Sequence, residues 1–293
     1  MAKRDLSVPS IHELYEASVQ EPEAEGDFFD QVYAEHNKGK LPRTLREDFC
    51  GTAAICQHWV SRRKDNLATG LDLDPNPLAF GRTRLNKLAE SERCRVNLVE
   101  SDVLSPPPGL GKFDVVFALN FSYWLFSQRA TLVKYFSSIR KAVAPGGLFV
   151  VDFFGGSDCH KELIERRAKL LPAKKDDSGK VMRKGGRFTY IWEQSPFNPA
   201  TGDMSCHISF ELPGPLLGKP VGSKPLLIKR AFSYQWRLYT MPELVDILRD
   251  AGFATVKTYL EKETRSGEGT GKYFHSTKQD ADRCFLAYIV ATQ

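Results

Sequence analysis

The sequence lacks the features that mark membrane, secreted and zinc-binding proteins. Its 293 residues contain no run of about 18 apolar residues, and the N-terminal stretch MAKRDLSVPS lacks the apolar segment of a signal peptide. The six cysteines form no Cys-x-x-Cys pair and no cysteine–histidine spacing typical of zinc. We therefore expect a soluble cytoplasmic protein with reduced thiols, no membrane partner and no metal.

The sequence also has no strong excess of basic over acidic residues. Lys and Arg number 41 against 36 for Asp and Glu, which gives a formal net charge of +5. So small and dispersed an excess disfavours a nucleic-acid partner but does not exclude one. The hydrophobic share of 42% is typical of a folded protein, and the length predicts one domain with an insertion, as a monomer or homodimer.

Two helices are predicted ahead of the first strand, within residues 1–40. Ser10 and Glu13 have capping-box spacing, so the first helix should begin near Ile11. The second is predicted to begin after Asp27, over the stretch FFDQVYAEH. Both helices are amphipathic and must pack against another part of the protein.

From Thr44 onward, short apolar stretches alternate with helical stretches. The five predicted strands are TLREDF, LATGLD, VNLVE, FDVVFAL and LFVVDFF. Helix MPELVDILRDAGF and strands ATVKTYL and CFLAYIVAT complete the pattern near the end of the chain. The alternation predicts a doubly wound, mostly parallel α/β sheet of seven strands, formed by residues 41–155 and 240–293, whose ligands lie at the carboxyl ends of the strands.

The intervening residues, 156–239, are predicted to form an antiparallel β insertion in this single domain. The insertion begins with a predicted helix over DCHKELIERRAKLL. Three alternating stretches then predict antiparallel strands with a hairpin near Gly202, and these stretches are RFTYIWEQS, MSCHISFEL and IKRAFSYQWRL.

Polar groups follow the first three strands. The turn Cys50-Gly51-Thr52 places backbone N–H groups at the start of a helix, which suits a polar ligand. Asp72 ends the second strand, where a carboxylate can accept both hydroxyls of a ribose, and Asp102 follows the third strand, within reach of an adenine amino group. A pyrophosphate requires G-x-G-x-x-G, and this window has only Gly51, so an NAD oxidoreductase is a remote alternative.

The stretch Glu47 to Ala53, EDFCGTA, resembles the first motif, acidic-x-Gly-x-Gly-x-Gly, of the class I S-adenosylmethionine-dependent methyltransferases. The resemblance continues through GLDLDP, ESDVL, FDVVFALN, PGGLFVVD and LRDAGF. It implies a Rossmann-like fold that binds S-adenosyl-L-methionine and releases S-adenosyl-L-homocysteine. Phe49 and Ala53 depart from the motif, since both stand at glycine positions. In many relatives an N-terminal segment closes over the cofactor, so residues 1–40 form either a lid or a cover of the core.

The resemblance also implies the cofactor site. Either Glu47 or Asp48 faces the amino group of the methionine, and Arg46 alternatively pairs with the carboxylate of the cofactor. The predicted cofactor-binding residues are Arg46, Glu47, Asp48, Phe49, Cys50, Gly51, Thr52, Asp72, Leu73, Asp102, Val103, Asn120 and Phe121.

The methyl acceptor is expected at the end of the fourth strand, where Asn120 and Tyr123 have an N-x-x-Y spacing. This spacing looks like the Asn-Pro-Pro-Tyr motif of methyltransferases that act on planar amines, although both prolines are missing. We predict catalytic roles for Asn120 and Tyr123 and a substrate contact for Trp124. Alternatively, Asn120 caps the next helix and the aromatic rings fill the core.

The insertion is predicted to form the acceptor side. Alternation places six aromatic residues on shared strand faces, where they either stack on an acceptor or pack the small sheet. His207 is a candidate general base, with a surface position as the alternative. The predicted substrate contacts of the insertion are Tyr190, Trp192, Arg230, Tyr234 and Trp236.

The favoured function is methyl transfer to a small-molecule acceptor, with nitrogen ahead of oxygen. In-line displacement at a sulfonium needs no metal, so few catalytic residues are expected. Two alternatives stay open. An RNA cap-like or nucleotide methyltransferase would use the basic stretches KLLPAKK and KVMRKGGR, and a non-catalytic S-adenosylmethionine-binding module is suggested by Phe49 and Ala53.

Overall fold

The computed structural model describes residues 8–176, 178–264 and 269–293. The chain divides into two compact units. The core unit comprises Glu21–Cys159 and Leu238–Gln293, and the insertion unit comprises His160–Arg237 with the described part of Met1–Gln20. The N-terminal segment predicted over residues 1–40 is therefore divided between the two units.

The described residues form seven α-helices and fourteen strands. The helices are α1 (Ile11–Val19), α2 (Pro22–His36), α3 (Ala54–Arg62), α4 (Pro75–Leu85), α5 (Glu90–Arg93), α6 (Arg129–Ala142) and α7 (Met241–Asp250). The strands are β1 (Thr44–Asp48), β2 (Leu67–Asp72), β3 (Val96–Glu100), β4 (Phe113–Ala118), β5 (Val143–Gly155), β6 (Leu163–Leu171), β7 (Lys174–Lys175), β8 (Val181–Arg183), β9 (Gly186–Gln194), β10 (Asp203–Leu212), β11 (Leu226–Arg237), β12 (Thr255–Glu263), β13 (Gly269–His275) and β14 (Phe285–Thr292). No helix among the described residues is long and apolar enough to cross a membrane.

The core unit contains one eight-stranded sheet in the order β13-β12-β14-β5-β4-β1-β2-β3. The five strands from β3 to β5 pair in parallel, whereas β14 is antiparallel to β5 and to β12. The predicted mostly parallel sheet is confirmed. The eighth strand, β13, was not predicted, because its sequence GTGKYFH is largely exposed and carries two glycines rather than an apolar run.

Helix α2 covers one face of this sheet and begins earlier than predicted, at Pro22. The Tyr33 hydroxyl lies 3.3 Å from Asp114 at the start of β4, and the Asn37 amide donates to the Gly146 carbonyl at 2.9 Å near the start of β5. Further along β4, the ring of Phe29 packs on Phe117. Helix α2 therefore runs antiparallel to β4 and β5, and its N-terminal end lies toward their carboxyl ends.

In the insertion unit, β11-β10-β9-β6 form an antiparallel sheet, and β7 and β8 form a small hairpin. The three predicted strands are confirmed, as is the capping box of Ser10 and Glu13 at the start of α1. The helix predicted over DCHKELIERRAKLL is wrong. That stretch forms a single 3₁₀ turn, Ser157–His160, followed by β6, because pairing with β9 along its length outweighs helix propensity.

Candidate active site

The loop after β1 keeps the backbone path of a three-glycine loop. Phe49, Gly51 and Ala53 have φ angles of 59°, 53° and 55°, in the left-handed region. These are the three positions at which the motif carries glycine. An L side chain in this region costs about 1–2 kcal/mol, so two of the three positions are strained. At Phe49 the ring packs 5.9 Å from both Phe126 and Tyr135, which offsets part of that cost.

Two glycines outside the loop, one in β2 and one in α4, let these elements lie close to it. A Cβ atom at Gly70 would come within 2.8 Å of the Cys50 sulfur, and one at Gly81 within 2.5 Å of the Thr52 carbonyl oxygen. The side chains of Cys50 and Thr52 are buried. The structure therefore does not expose these two predicted cofactor contacts through their side chains.

Asp72, at the end of β2, is bonded to the same loop. Its Oδ2 accepts the Gly51 N–H at 2.6 Å, and its Oδ1 accepts the Asp74 N–H at 2.9 Å. Burial raises the pKa of Asp72, while these backbone N–H groups lower it. Each carboxylate oxygen can accept a second hydrogen bond, so capacity for a hydroxyl remains. The neighbouring side chain, Leu73, is 68% exposed.

Asp102 lies at the same sheet edge as Asp72, because the Ser101 N–H donates to the Asp72 carbonyl at 2.9 Å. Its Oδ1 accepts the Leu104 N–H at 2.9 Å, which holds the carboxylate against its own loop. The next residue, Val103, is buried.

Arg46 and Asp48 form a buried ion pair on one face of β1. The Arg46 guanidinium donates to the two carboxylate oxygens of Asp48 at 2.7 and 3.1 Å, and the Tyr135 hydroxyl donates at 2.9 Å. Burial raises the pKa of Asp48, and Arg46 opposes that rise. The structure thus pairs Arg46 with Asp48 inside the protein, which corrects the expectation that Arg46 or Asp48 is available to the methionine end.

Glu47 points to the opposite face of β1, toward the start of α3. Its Oε2 accepts the Cys56 N–H at 3.3 Å and lies 3.1 Å from the Cys56 sulfur. Burial raises the pKa of Glu47 to about 8. Among the described residues no cation pairs with Glu47, so of the two candidate carboxylates it is the one that lacks a protein countercharge.

Asp152, near the end of β5, was not predicted as a site residue. Its Oδ2 accepts the Asn120 N–H at 2.7 Å, and its Oδ1 accepts the Phe121 N–H at 3.0 Å. Both donor residues are left-handed, with φ angles of 57° and 56°. Burial raises the pKa of Asp152 to about 7. The available signal was its place near the end of the fifth strand, by the rule that selected Asp72.

Tyr123 and Trp124 lie in the interior. Tyr123 is fully buried and donates from its hydroxyl to the Asp152 carbonyl at 2.6 Å. Trp124 is 1% exposed, and its ring stacks on Phe121 at 5.2 Å. The alternative in which these rings fill the core therefore accounts for both, and we do not retain either as an acceptor contact. Asn120 stays a candidate, since it is only half-buried.

The aromatic residues of the insertion share a surface as predicted, and that surface is packed. Tyr234 stacks on Trp236 at 5.0 Å, and Trp192 lies 5.7 Å from Trp236. Tyr15 of α1 contacts Phe232 of the same unit at 4.8 Å. Tyr190, Trp192, Phe232 and Tyr234 all contribute to one apolar cluster with α1. Packing of the small sheet explains these contacts without a ligand.

His207 lies on the other face of β10, opposite the buried Cys206 and Ile208, as its alternation predicted. Its Nδ1 lies 2.8 Å from the Ser233 hydroxyl. Burial and the positive charge of Arg230 lower its pKa. Arg230 itself donates to Glu193 at 2.7 Å, so its guanidinium has a protein carboxylate as partner rather than one from a substrate.

Comparisons with known proteins agree with this geometry. Residues 50–149 match the family described as methyltransferase domain. The match spans 100 of the 293 residues and supports the predicted class I S-adenosylmethionine-dependent methyltransferase. No curated protein sequence matches this chain.

Solved structures share the fold of this chain along nearly its whole length. An S-adenosylmethionine-dependent methyltransferase from Clostridium acetobutylicum has a TM-score of 0.63 at 15% identity, covering 95% of this chain and 96% of that one. The sugar N-methyltransferase KedS8 from Streptoalloteichus has a TM-score of 0.60 at 16% identity, with coverages of 98% and 94%. CalS10, an amino pentose methyltransferase from Micromonospora echinaspora, has a TM-score of 0.62 at 16% identity, with coverages of 97% and 98%.

S-adenosylmethionine is the predicted cofactor, and the similar structure of CalS10 has it bound. Two observations in the core unit fit that molecule. The left-handed loop is hydrogen-bonded to Asp72, which lies at the sheet edge where a ribose carboxylate belongs in this fold. The buried Glu47 lacks a protein cation, and the cofactor carries positive charge on its amino group and its sulfur.

Proposed function

We propose that this methyltransferase methylates an amino group of a small-molecule acceptor. The observation that carries the proposal is the carboxylate of Asp152, which holds the turn at Asn120 and Phe121 through both backbone N–H groups. The family resemblance implies a methyl acceptor at this turn. The half-buried Asp152 carboxylate attracts a protonated amine and repels a phosphate or a carboxylate. Nitrogen is therefore favoured over oxygen as the accepting atom.

The proposal assigns the cofactor to the carboxyl ends of β1, β2 and β3. Asp72 accepts from the ribose hydroxyls, Asp102 accepts from the adenine amino group, and Glu47 with the loop backbone holds the methionine end. When bound, the cofactor supplies a methyl group on a positively charged sulfur. The protein's own contribution is to align the acceptor nitrogen with that methyl group and to exclude water.

A small-molecule acceptor is favoured over RNA because basic residues in the insertion unit form ion pairs with an acidic residue of the same unit. Lys174 lies 3.0 Å from Glu13, and Arg183 lies 3.5 Å from the same carboxylate. Two cations of the proposed RNA track are thereby matched by one internal acid, which weakens the attraction to phosphates. Two similar structures are a sugar N-methyltransferase and an amino pentose methyltransferase, which also supports a small acceptor.

A methyl-transfer screen tests the proposal. Wild-type protein with radiolabelled S-adenosylmethionine is offered amines, their hydroxyl counterparts and a short capped RNA, with Asp72→Ala as the blank. We expect label in one or more amines, little in the hydroxyl compounds and none in RNA. Label only in RNA, or none in any small molecule, contradicts the proposal. Thermal stabilisation by NADH but not by S-adenosylhomocysteine would favour the oxidoreductase alternative.

A further inference from the structure

Glu25 lies at the end of α2 that faces the carboxyl ends of β4 and β5. One turn further along α2, Phe28 stacks on Tyr288 at 4.1 Å. Tyr288 of β14 is the direct partner of Asp152 on β5. Residues three apart share one face of a helix, so Glu25 projects toward the same sheet face as Phe28, near the end of β5.

The Glu25 side chain is buried, and one of its two carboxylate oxygens has no partner among the described residues. It is 7% exposed, and its Oε2 has no hydrogen-bond donor among the described residues. None of the ion pairs within the described part of the chain includes it. Burying a carboxylate without a cation is costly, and burial raises the pKa of Glu25 to about 8 although a hydrogen bond with the Glu21 backbone lowers it. The Glu25 carboxylate can therefore accept a further partner that is positively charged or that donates a hydrogen bond.

The groups around Glu25 do not supply that positive charge. The negative charges of Asp152 and Glu21 raise the pKa of Glu25 further, and Glu25 in turn raises that of Glu47. The half-buried Tyr288 lies near these carboxylates, and burial together with their negative charges raises the pKa of its phenol. A cation entering this region meets several acceptors of one sign, whereas an anion is repelled by each of them.

We infer that Glu25 binds the protonated amino group of the acceptor and removes a proton from it before methyl transfer. The inference rests on the proposed function and assigns its acceptor to the primary or secondary amines that are cationic near neutral pH. The ammonium passes one proton to the Glu25 carboxylate. The resulting nitrogen lone pair then bonds to the methyl carbon as the carbon–sulfur bond breaks, and the bonding electrons stay on sulfur. Glu25 finally returns its proton to water.

Calorimetry on protein saturated with S-adenosylhomocysteine tests the inference. The probes are three pairs of an amine and its hydroxyl counterpart: n-butylamine and n-butanol, D-glucosamine and D-glucose, and tyramine and 4-(2-hydroxyethyl)phenol. We expect at least one amine to bind at least tenfold more tightly than its counterpart. We also expect proton release on binding at pH 7, measured in two buffers of different ionisation enthalpy, because the ammonium lowers the pKa of the bound carboxyl.

The test variant is Glu25→Gln, and Glu23→Gln, an exposed change on the same helix, is its control. Glu25→Gln should abolish the amine preference and the proton release while leaving the affinity for S-adenosylhomocysteine and S-adenosylmethionine within about twofold. The variant Glu25→Gln is taken as folded if its melting temperature at pH 8 equals or exceeds that of wild type.

The inference is overturned if the wild-type protein prefers no amine, or if Glu25→Gln behaves like wild type. It is also overturned if Glu25→Gln loses affinity for the cofactor, because Glu25 would then bind the cofactor rather than the acceptor. The proposed function fails separately, when wild type transfers no methyl group to any small molecule.

Discussion

The carboxylate of Asp72 accepts the backbone N–H of Gly51 at 2.6 Å, which joins the end of β2 to the loop that follows β1. The residue expected to bind the ribose thus also fixes the loop expected to hold the methionine end. Both parts of the cofactor site depend on one side chain.

Replacement of Asp72 by Ala should therefore weaken cofactor binding more than a single lost contact would. We expect the affinity for S-adenosylhomocysteine to fall at least 30-fold, or about 2 kcal/mol, which is typical of a lost charged hydrogen bond. Titration calorimetry measures this change. Asp65→Asn, at an exposed ion pair with Arg43, is the control. Unchanged affinity in Asp72→Ala would refute the cofactor assignment.

Ala53 provides a test of the left-handed loop. Glycine at this position relieves backbone strain but removes a buried methyl group, so Ala53→Gly should leave the free energy of unfolding within about 1 kcal/mol of wild type. Ala53→Val adds a branched side chain at a positive φ in a buried site and should cost about 3 kcal/mol. Urea denaturation distinguishes the two. Equal losses in both variants would show that the backbone angle is not what limits this position.

The buried pair of Arg46 and Asp48 predicts that a second substitution restores stability lost by the first. Arg46→Met leaves the Asp48 carboxylate buried beside Tyr135 without its cation, and we expect a loss of about 3–5 kcal/mol in the free energy of unfolding. Adding Asp48→Asn removes the stranded charge, keeps an acceptor for the Tyr135 hydroxyl and should recover at least half of that loss. If the double variant instead loses S-adenosylhomocysteine binding while remaining folded, the pair contacts the cofactor.

Glu25 predicts a pH dependence of stability in the ligand-free protein. Its pKa is raised from 4.5 to about 8 in the folded state, so its contribution to stability is fully present below pH 4.5 and is lost as the pH rises toward 8. Glu25→Gln has no titrating carboxyl at this position, so its stability relative to wild type should increase progressively between pH 5.5 and 8. The difference in the free energy of unfolding between the two proteins should change by about 1.4 kcal/mol per pH unit, because only the folded state holds the extra proton in this range. Urea denaturation across this range measures it, and parallel curves would contradict the raised pKa.

His207 provides the last prediction. Its ring is bonded to Ser233 on the outer face of β10, and its lowered pKa keeps it neutral at pH 7. We expect His207→Ala to leave the rate of methyl transfer within about twofold of wild type. A loss of tenfold or more, with a changed acidic limb of the pH profile, would instead assign it the role of general base.

Local sequence patterns were sufficient for much of the fold and part of the site. Apolar periodicity predicted the five parallel strands, and Ser10 with Glu13 predicted the start of α1. The strand-end rule selected Asp72, which the structure ties to the loop after β1. The motif alignment selected the positions of Phe49 and Ala53, whose left-handed backbone could not be read from their side chains. These features depend on neighbours a few residues away, so a single sequence contains the signal.

Other features depended on residues far apart in the chain. The stretch Leu163–Leu171 has helical spacing, and only pairing with β9 makes it a strand. Tyr123 was assigned to the acceptor by motif spacing, whereas contacts with Asp152 and the surrounding rings bury it. Glu25 belongs to an acidic stretch that reads as a solvated surface until the antiparallel packing of α2 on β4 and β5 buries it. The sequence determined which residues stand at the strand ends, and tertiary packing decided which of their charges were matched, because burial and charge pairing depend on contacts that no local pattern specifies.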